Sequence, residues 1–221
     1  MAYQWDFSPV LANAPLLVEG LVNTLKITGT ALVCGVVLGL GLALLRLSPR
    51  RYLSWPAGFV IEVFRTTPPL VQLFWFFFAL PILVGIEMTP FVAGAVTFSI
   101  QSASFFAEVF RAGIQSIERG QWDGARALGM RWGQAMRRII LPQALKRMLP
   151  ALTNRAIEIF KMSTLASAVA YVELLQQGKL IASLNYNPIE AYTAVAVIFF
   201  VFLWPLVQFS YFLERRLRRD E

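Results

Sequence analysis

From Ile27 to Leu45 the chain carries no charged residue, and Lys26 and Arg46 bracket the run. A stretch of that length and character suits a helix crossing a hydrocarbon core of roughly 30 Å. We place a first span at residues 21–45, and further apolar runs place others at residues 66–84, 91–111, 151–172 and 191–212. With 57% hydrophobic residues and a mean hydropathy of +0.59, a chain of 221 residues has too little polar surface to form a soluble globule. The expected fold is all-α: a polytopic membrane protein with five transmembrane helices, residues 1–221 forming a single domain.

The net charge of +7 does not call for nucleic acid, because the basic residues flank the apolar runs. Arg46, Arg50 and Arg51 follow the first run, Lys146 and Arg147 precede the fourth, and Arg215, Arg216, Arg218 and Arg219 follow the fifth. Excess Lys and Arg marks the cytoplasmic side. All three clusters then face inward, with the amino terminus outside, the carboxyl terminus cytoplasmic, and Trp204 and Tyr211 near the inner interface. The first ten residues lack the positive charges of a secretory leader, so no cleavage is expected. A lone Cys34 excludes a disulfide framework, and the absence of His removes the commonest general base and metal ligand. No metal site is expected. Gly178-Lys179 is followed by Leu180 and lacks the Gly-rich lead of a phosphate-binding loop. If ATP drives this protein, another chain binds it.

Residues 52–84 are too long for one perpendicular helix, and Thr66-Thr67-Pro68-Pro69 supplies the break. Residues 52–64 then form a short helix at the inner interface. Within the third run Thr97, Gln101, Ser104 and Glu108 fall on one helical face, and within the fourth so do Asn154, Glu158, Lys161 and Thr164. Such stripes fit either interhelical hydrogen bonding or the wall of a translocation path. Glu158 and Lys161, one turn apart, are expected to neutralise each other in part. The tetrapeptide Glu-Val-Phe-Arg occurs at residues 62–65 and again at 108–111. Glu62 with Arg65 and Glu108 with Arg111 would form local pairs, serving either structure or an inner gate.

Residues 117–147 cannot span, because Arg126, Arg131, Arg137 and Arg138 would each cost a few kcal/mol at a bilayer centre. The segment reads as a helix over residues 121–128, a left-handed stop at Gly129, and an amphipathic helix from Met130 until Pro142, with Trp132, Ala135, Met136, Ile139 and Ile140 on its apolar face. From the residues alone this is a surface helix on the membrane. Its spacing, however, resembles the cytoplasmic signature of ABC-importer permease subunits: Asp123-Gly124-Ala125 for the Glu-Ala-Ala triplet, then Gly129, then Ile139-Ile140-Leu141-Pro142. Asp123 and Gly124 depart from that triplet.

The likeness extends along the chain. FRTTPPLVQLFW from Phe64, with Thr66 where Gly is usual, the run around the loop, ILPQALKRMLPALTN, and Lys161 with Ser163-Thr164-Leu165 all resemble permeases of the polar amino-acid family. That resemblance implies a type I ABC importer permease fold with a cytoplasmic coupling helix. Trp122, Asp123, Gly124, Ala125, Leu128 and Gly129 would meet the groove of an ATPase dimer that carries the ATP and Mg. It also implies a second permease copy or a related permease, an extracytoplasmic substrate-binding protein, and a bacterial inner-membrane location. An amino acid needs partners for both its charges. Lys161 suits the carboxylate and Glu158 the amine, with Gln101, Ser104 and Thr164 orienting the rest. Competing readings are a passive channel or structural membrane subunit, and a membrane enzyme with Lys161 as nucleophile.

Overall fold

The computed structural model describes residues 3–218, which form helices joined by short turns with no strand among them; Arg219 of the basic tail lies outside them. A short α1 (Ser8–Ala12) turns at Asn13 into α2 (Ala14–Arg46), which starts earlier than expected because Pro15 sits in its first turn, where a missing N–H costs nothing. There follow α3 (Arg51–Thr66), α4 (Pro69–Val84), α5 (Pro90–Gln115), α6 (Arg119–Ala127), α7 (residues 132–162), a 3-10 stretch (Ser163–Val169), α8 (Leu174–Asn185) and α9 (Pro188–Arg218). Three helices, α2, α5 and α9, are long and apolar enough to cross a membrane, and α3 with α4 makes a fourth candidate bent by 103°.

Of these, α5 is the central helix. Two-thirds of its apolar window is buried inside the protein (67%), against 17% for α9, whose Val197, Phe200, Val201 and Trp204 remain exposed. Lipid is as apolar as leucine, so helices in it associate by close packing. Accordingly α2 presents Gly35 and Gly39 to α5. A Cβ built on Gly39 would lie 2.7 Å from the Phe106 Cβ and 2.8 Å from the Ala103 carbonyl oxygen. Ile27, Ala31, Phe98 and Phe106 continue this contact as fully buried core, which α7 extends through Ile159. Near the other end of α2, Thr24 donates to the Gly20 carbonyl and accepts from the Leu174 N–H at 3.1 Å, joining α8 to the bundle.

The elbow between α3 and α4 falls at the expected Thr-Pro break, and the side chains around it replace the lost helix bonds. Thr66 and Thr67 hydroxyls donate to the Glu62 and Val63 carbonyls, at 2.8 and 2.7 Å. Buried Gln72 reaches back to the Phe64 and Thr67 carbonyls at 2.9 and 2.8 Å.

Pro142, in contrast, does not end its helix. Residues 136–140 widen into a π turn, and α7 runs on through Pro142 to Met162. A proline clashes with the carbonyl four residues back, here Arg138, and that carbonyl lies within the widened turn. The same device precedes Pro81, where the π turn spans Trp75–Ala79 and includes Phe77. At its far end α7 stops earlier than the expected run to Val172. The chain tightens into the 3-10 stretch and leaves it at Ala170, held left-handed at φ +58°.

Glu173 opens α8, in the connection outside the candidate spans. Its carboxylate is fully buried and accepts from the Leu175 and Gln176 N–H groups at 2.8 Å each. Burial outweighs those bonds and the charge of Lys179, and pushes its pKa up to about 7 from 4.5. The folded protein therefore holds this proton where the unfolded chain has released it. Its stabilising contribution is complete below pH 4.5 and is lost as pH rises through about 7.

Two outcomes are expected in thermal melts of the purified protein in detergent. Gly39→Val lowers the midpoint through an overlap costing about 1–3 kcal/mol, while Gly41→Ala, whose added Cβ meets open space inside α2, does not lower it. Glu173→Gln flattens the fall in stability between pH 5 and pH 8, by roughly 3 kcal/mol at most.

Candidate translocation path and coupling loop

The loop helix α6 closes as its sequence predicts, and the geometry is a Schellman cap. Gly129 is left-handed at φ +70°, the Met130 N–H donates to the Ala125 carbonyl at 3.1 Å, and the Gly129 N–H donates to the Arg126 carbonyl at 2.9 Å. Two of its residues anchor the helix to the bundle: Ala125 is 1% exposed, and half-buried Trp122 packs on the main core. The opposite face is open. Asp123 pairs with Arg126 at 3.3 Å in solvent, Gly124 and Gly129 lie bare, and Leu128 is 76% exposed. Trp132, which starts α7, is 66% exposed beside it. Gln143 donates to Gln121 at 3.2 Å, and Arg147 donates to the Ser116 carbonyl, fastening the loop to α7.

The two polar stripes have different surroundings. On α5, Thr97, Gln101 and Ser104 are buried within the bundle; Thr97 and Ser104 donate back to the Ala93 and Ile100 carbonyls, and the Gln101 Oε1 has no partner. On α7, Asn154, Glu158 and Lys161 form an exposed row. Thr164 lies past the helix end, donating to the Lys161 carbonyl at 2.8 Å. Glu158 does not pair with Lys161 as expected. It accepts from Arg155 Nη1 at 2.7 Å, because Arg155 is held in place with its guanidinium carbon 3.9 Å from the Phe105 ring centroid. Arg155 stands one residue off the stripe, so face-counting missed it. An arginine inside an apolar run was itself the signal.

Both Glu-Val-Phe-Arg segments form the expected local pairs. Glu62 lies 3.7 Å from Arg65, and Glu108 lies 2.7 Å from Arg111. Both pairs stay within their own helices. Arg65 reaches α5 through the Phe105 ring, 5.5 Å from its centroid. An open cavity of about 990 Å³ gathers Arg65, Phe105, Glu108, Asn154, Lys146 and Glu214 at the end of the bundle that carries the loop. Gln101, Ser104, Glu158, Lys161 and Thr164 do not line it. No group of three or more His, Cys, Asp or Glu side chains among the described residues is arranged to hold a metal ion.

A helical bundle with an elbowed helix pair, a docked loop helix and a polar row on an inner helix is the architecture of a membrane permease subunit. Residues 35–219 match the model of one family, and the chain belongs to it: the binding-protein-dependent transport system inner membrane component. It is 34% identical to the arginine transport system permease protein ArtQ of Bacillus subtilis (strain 168), over 98% of this chain and 99% of that protein. It is likewise 34% identical to the glutamate/aspartate import permease protein GltK of Escherichia coli O6:H1, over 97% and 99%. Among solved structures, an amino acid ABC transporter determined with histidines superposes with a TM-score of 0.90 at 37% identity, covering 97% of this chain and 100% of that one. The MetNI methionine ABC transporter, in an inward-facing conformation, gives 0.77 at 25% identity over 97% and 99%. The fold is thus that of a type I ABC importer permease, and the chain is a transport subunit rather than an enzyme.

Replacing Ala125 by Leu is expected to lift α6 from the bundle, since its Cβ has no free space around it. Hydrogen exchange of the amides of residues 119–127 should rise about tenfold or more, with α5 unaffected.

Proposed function

We propose that this chain is the membrane half of an ATP-driven importer for polar amino acids or their derivatives. The observation that carries the reading is the split character of α6: Trp122 and Ala125 fix it to the bundle, while Asp123, Gly124, Leu128 and Gly129 face outward beside exposed Trp132. Leu128 at the capped end of the docked helix and Trp132 at the start of α7, both left open, suit the groove of a separate ATPase, and burying side chains of this size stabilises such a contact by about 1.5–3 kcal/mol each. The ATP and Mg belong to that partner. The relatives' named substrates, arginine and glutamate/aspartate, support an amino-acid cargo.

The loop and the basic clusters face the cytoplasm, the amino terminus lies outside, and α7 supplies the remaining crossing. A single bundle of this size encloses no path, so a second copy or a related permease completes it. The polar row of α7 faces that partner, with Glu158 and Lys161 meeting the amine and carboxylate of the substrate and with Gln101, Ser104 and Thr164 becoming accessible as the halves move. Glu62, Arg65, Glu108 and Arg111 border the inner exit as a gate. A binding protein delivers substrate outside, and ATPase closure is transmitted through residues 122–129.

Co-expression with its ATPase and binding protein in proteoliposomes tests this. Substrate-loaded binding protein should stimulate ATP hydrolysis and uptake. Gly129→Val, which strains the φ +70° cap, should reduce both about tenfold. Uptake that persists without ATP, or a stimulation unaffected by Gly129→Val, would refute the reading.

A further inference from the structure

Arg155 makes one polar contact and leaves its better edge unused. Its side chain is 9% exposed, its guanidinium carbon lies 3.9 Å from the Phe105 ring centroid, and Nη1 alone meets Glu158. Nε and Nη2, both buried, have no hydrogen-bond partner. Those two nitrogens form the parallel N–H pair that matches a carboxylate in bidentate fashion. An arginine needed only to hold Glu158 would turn that edge toward it. A buried donor pair left unmatched is costly, so its retention points to an acceptor that comes and goes.

Its surroundings fit an amino acid. Phe105, against the guanidinium, and Asn154, its chain neighbour, both line the 990 Å³ cavity, so Arg155 adjoins the cavity through both. One turn before Phe105 on α5, Gln101 holds a buried, unpartnered Oε1, an acceptor suited to an ammonium. Three carboxylates along this route each have an arginine, Glu62 with Arg65, Glu108 with Arg111, and Glu158 with Arg155, and Glu214 at the cavity is engaged as well. Lys161 remains exposed with no acidic partner among the described residues. The route therefore offers cations freely and has no spare anion.

We infer that the Nε–Nη2 edge of Arg155, in place of Lys161, reads the substrate carboxylate, that Gln101 rather than the arginine-bound Glu158 meets the ammonium, and that the path takes zwitterionic or acidic amino acids in preference to cationic ones. This rests on the polar row of α7 being the path. The charge-conserving variant Arg155→Lys keeps the cation and loses the fork, and it separates the inference from that reading.

Direct binding of radiolabelled L-glutamine, L-glutamate and L-arginine to the permease–ATPase complex in nanodiscs, without the binding protein, provides the test. Co-elution with the ATPase confirms assembly of each variant. The wild-type complex should bind glutamine or glutamate about tenfold more tightly than arginine, and Arg155→Lys should lose about tenfold of that affinity. The double variant Arg155→Met with Glu158→Gln should bind more weakly than Glu158→Gln alone. That result excludes a role confined to holding Glu158. If Arg155→Lys binds as wild type while Glu158→Gln or Lys161→Met weakens, the inference is overturned and the path reading stands. If none of the three variants changes binding, or the wild type binds none of the amino acids, both fail. A wild-type preference for arginine overturns the charge selection.

Discussion

Close contact between α2 and α5 at Gly35 and Gly39 supports the rest of the molecule. In a bilayer no water is gained by bringing two apolar helices together, so their attraction depends on how many atoms can touch. Glycines facing Ser102, Ala103 and Phe106 let the backbones themselves approach. With that pair fixed, α5 becomes an axis. It offers Phe98 and Phe106 to the core, while Phe105 and Glu108 stand at the cavity wall where α7 packs. The other end of α2, through Gly20 and Thr24, sets the position of α8.

Around this axis the loop is attached at both ends. Trp122 and Ala125 press α6 onto the core, and hydrogen bonds from Gln143 and Arg147 bind it to the start of α7. Since α7 is helical from Trp132 to Met162, it joins the loop to Asn154, Arg155 and Glu158 as one continuous element. The elbow between α3 and α4 is tied by Thr66, Thr67 and Gln72, which hold its bend.

Much of this was legible in the sequence where glycine or proline acted alone. Gly129 gave the loop cap, and Thr66 to Pro69 gave the elbow, because each leaves the backbone few alternatives. Pro142 misled, since a widened turn removes the clash that would otherwise end the helix, and no residue type advertises such a turn. The end of α7 was misplaced for the converse reason: Ala170 holds a left-handed conformation that alanine disfavours, and neighbouring contacts impose it. The partner of Glu158 depended on Phe105 of another helix fixing Arg155, a tertiary fact that spacing along one helix does not contain.

The π turn at residues 136–140 has a further effect on α7. A wide turn amounts to one extra residue in an otherwise regular helix, and each residue advances the helical azimuth by about 100°. The half of α7 beyond the turn is thus out of phase with the half that begins in the loop. Trimming one residue there would rotate Asn154, Glu158 and Lys161 away from the side they now occupy and bring other residues into their place, while the loop itself stayed put. The bulge works as an indexing joint: it sets which side chains the far half of α7 presents independently of how the loop is attached.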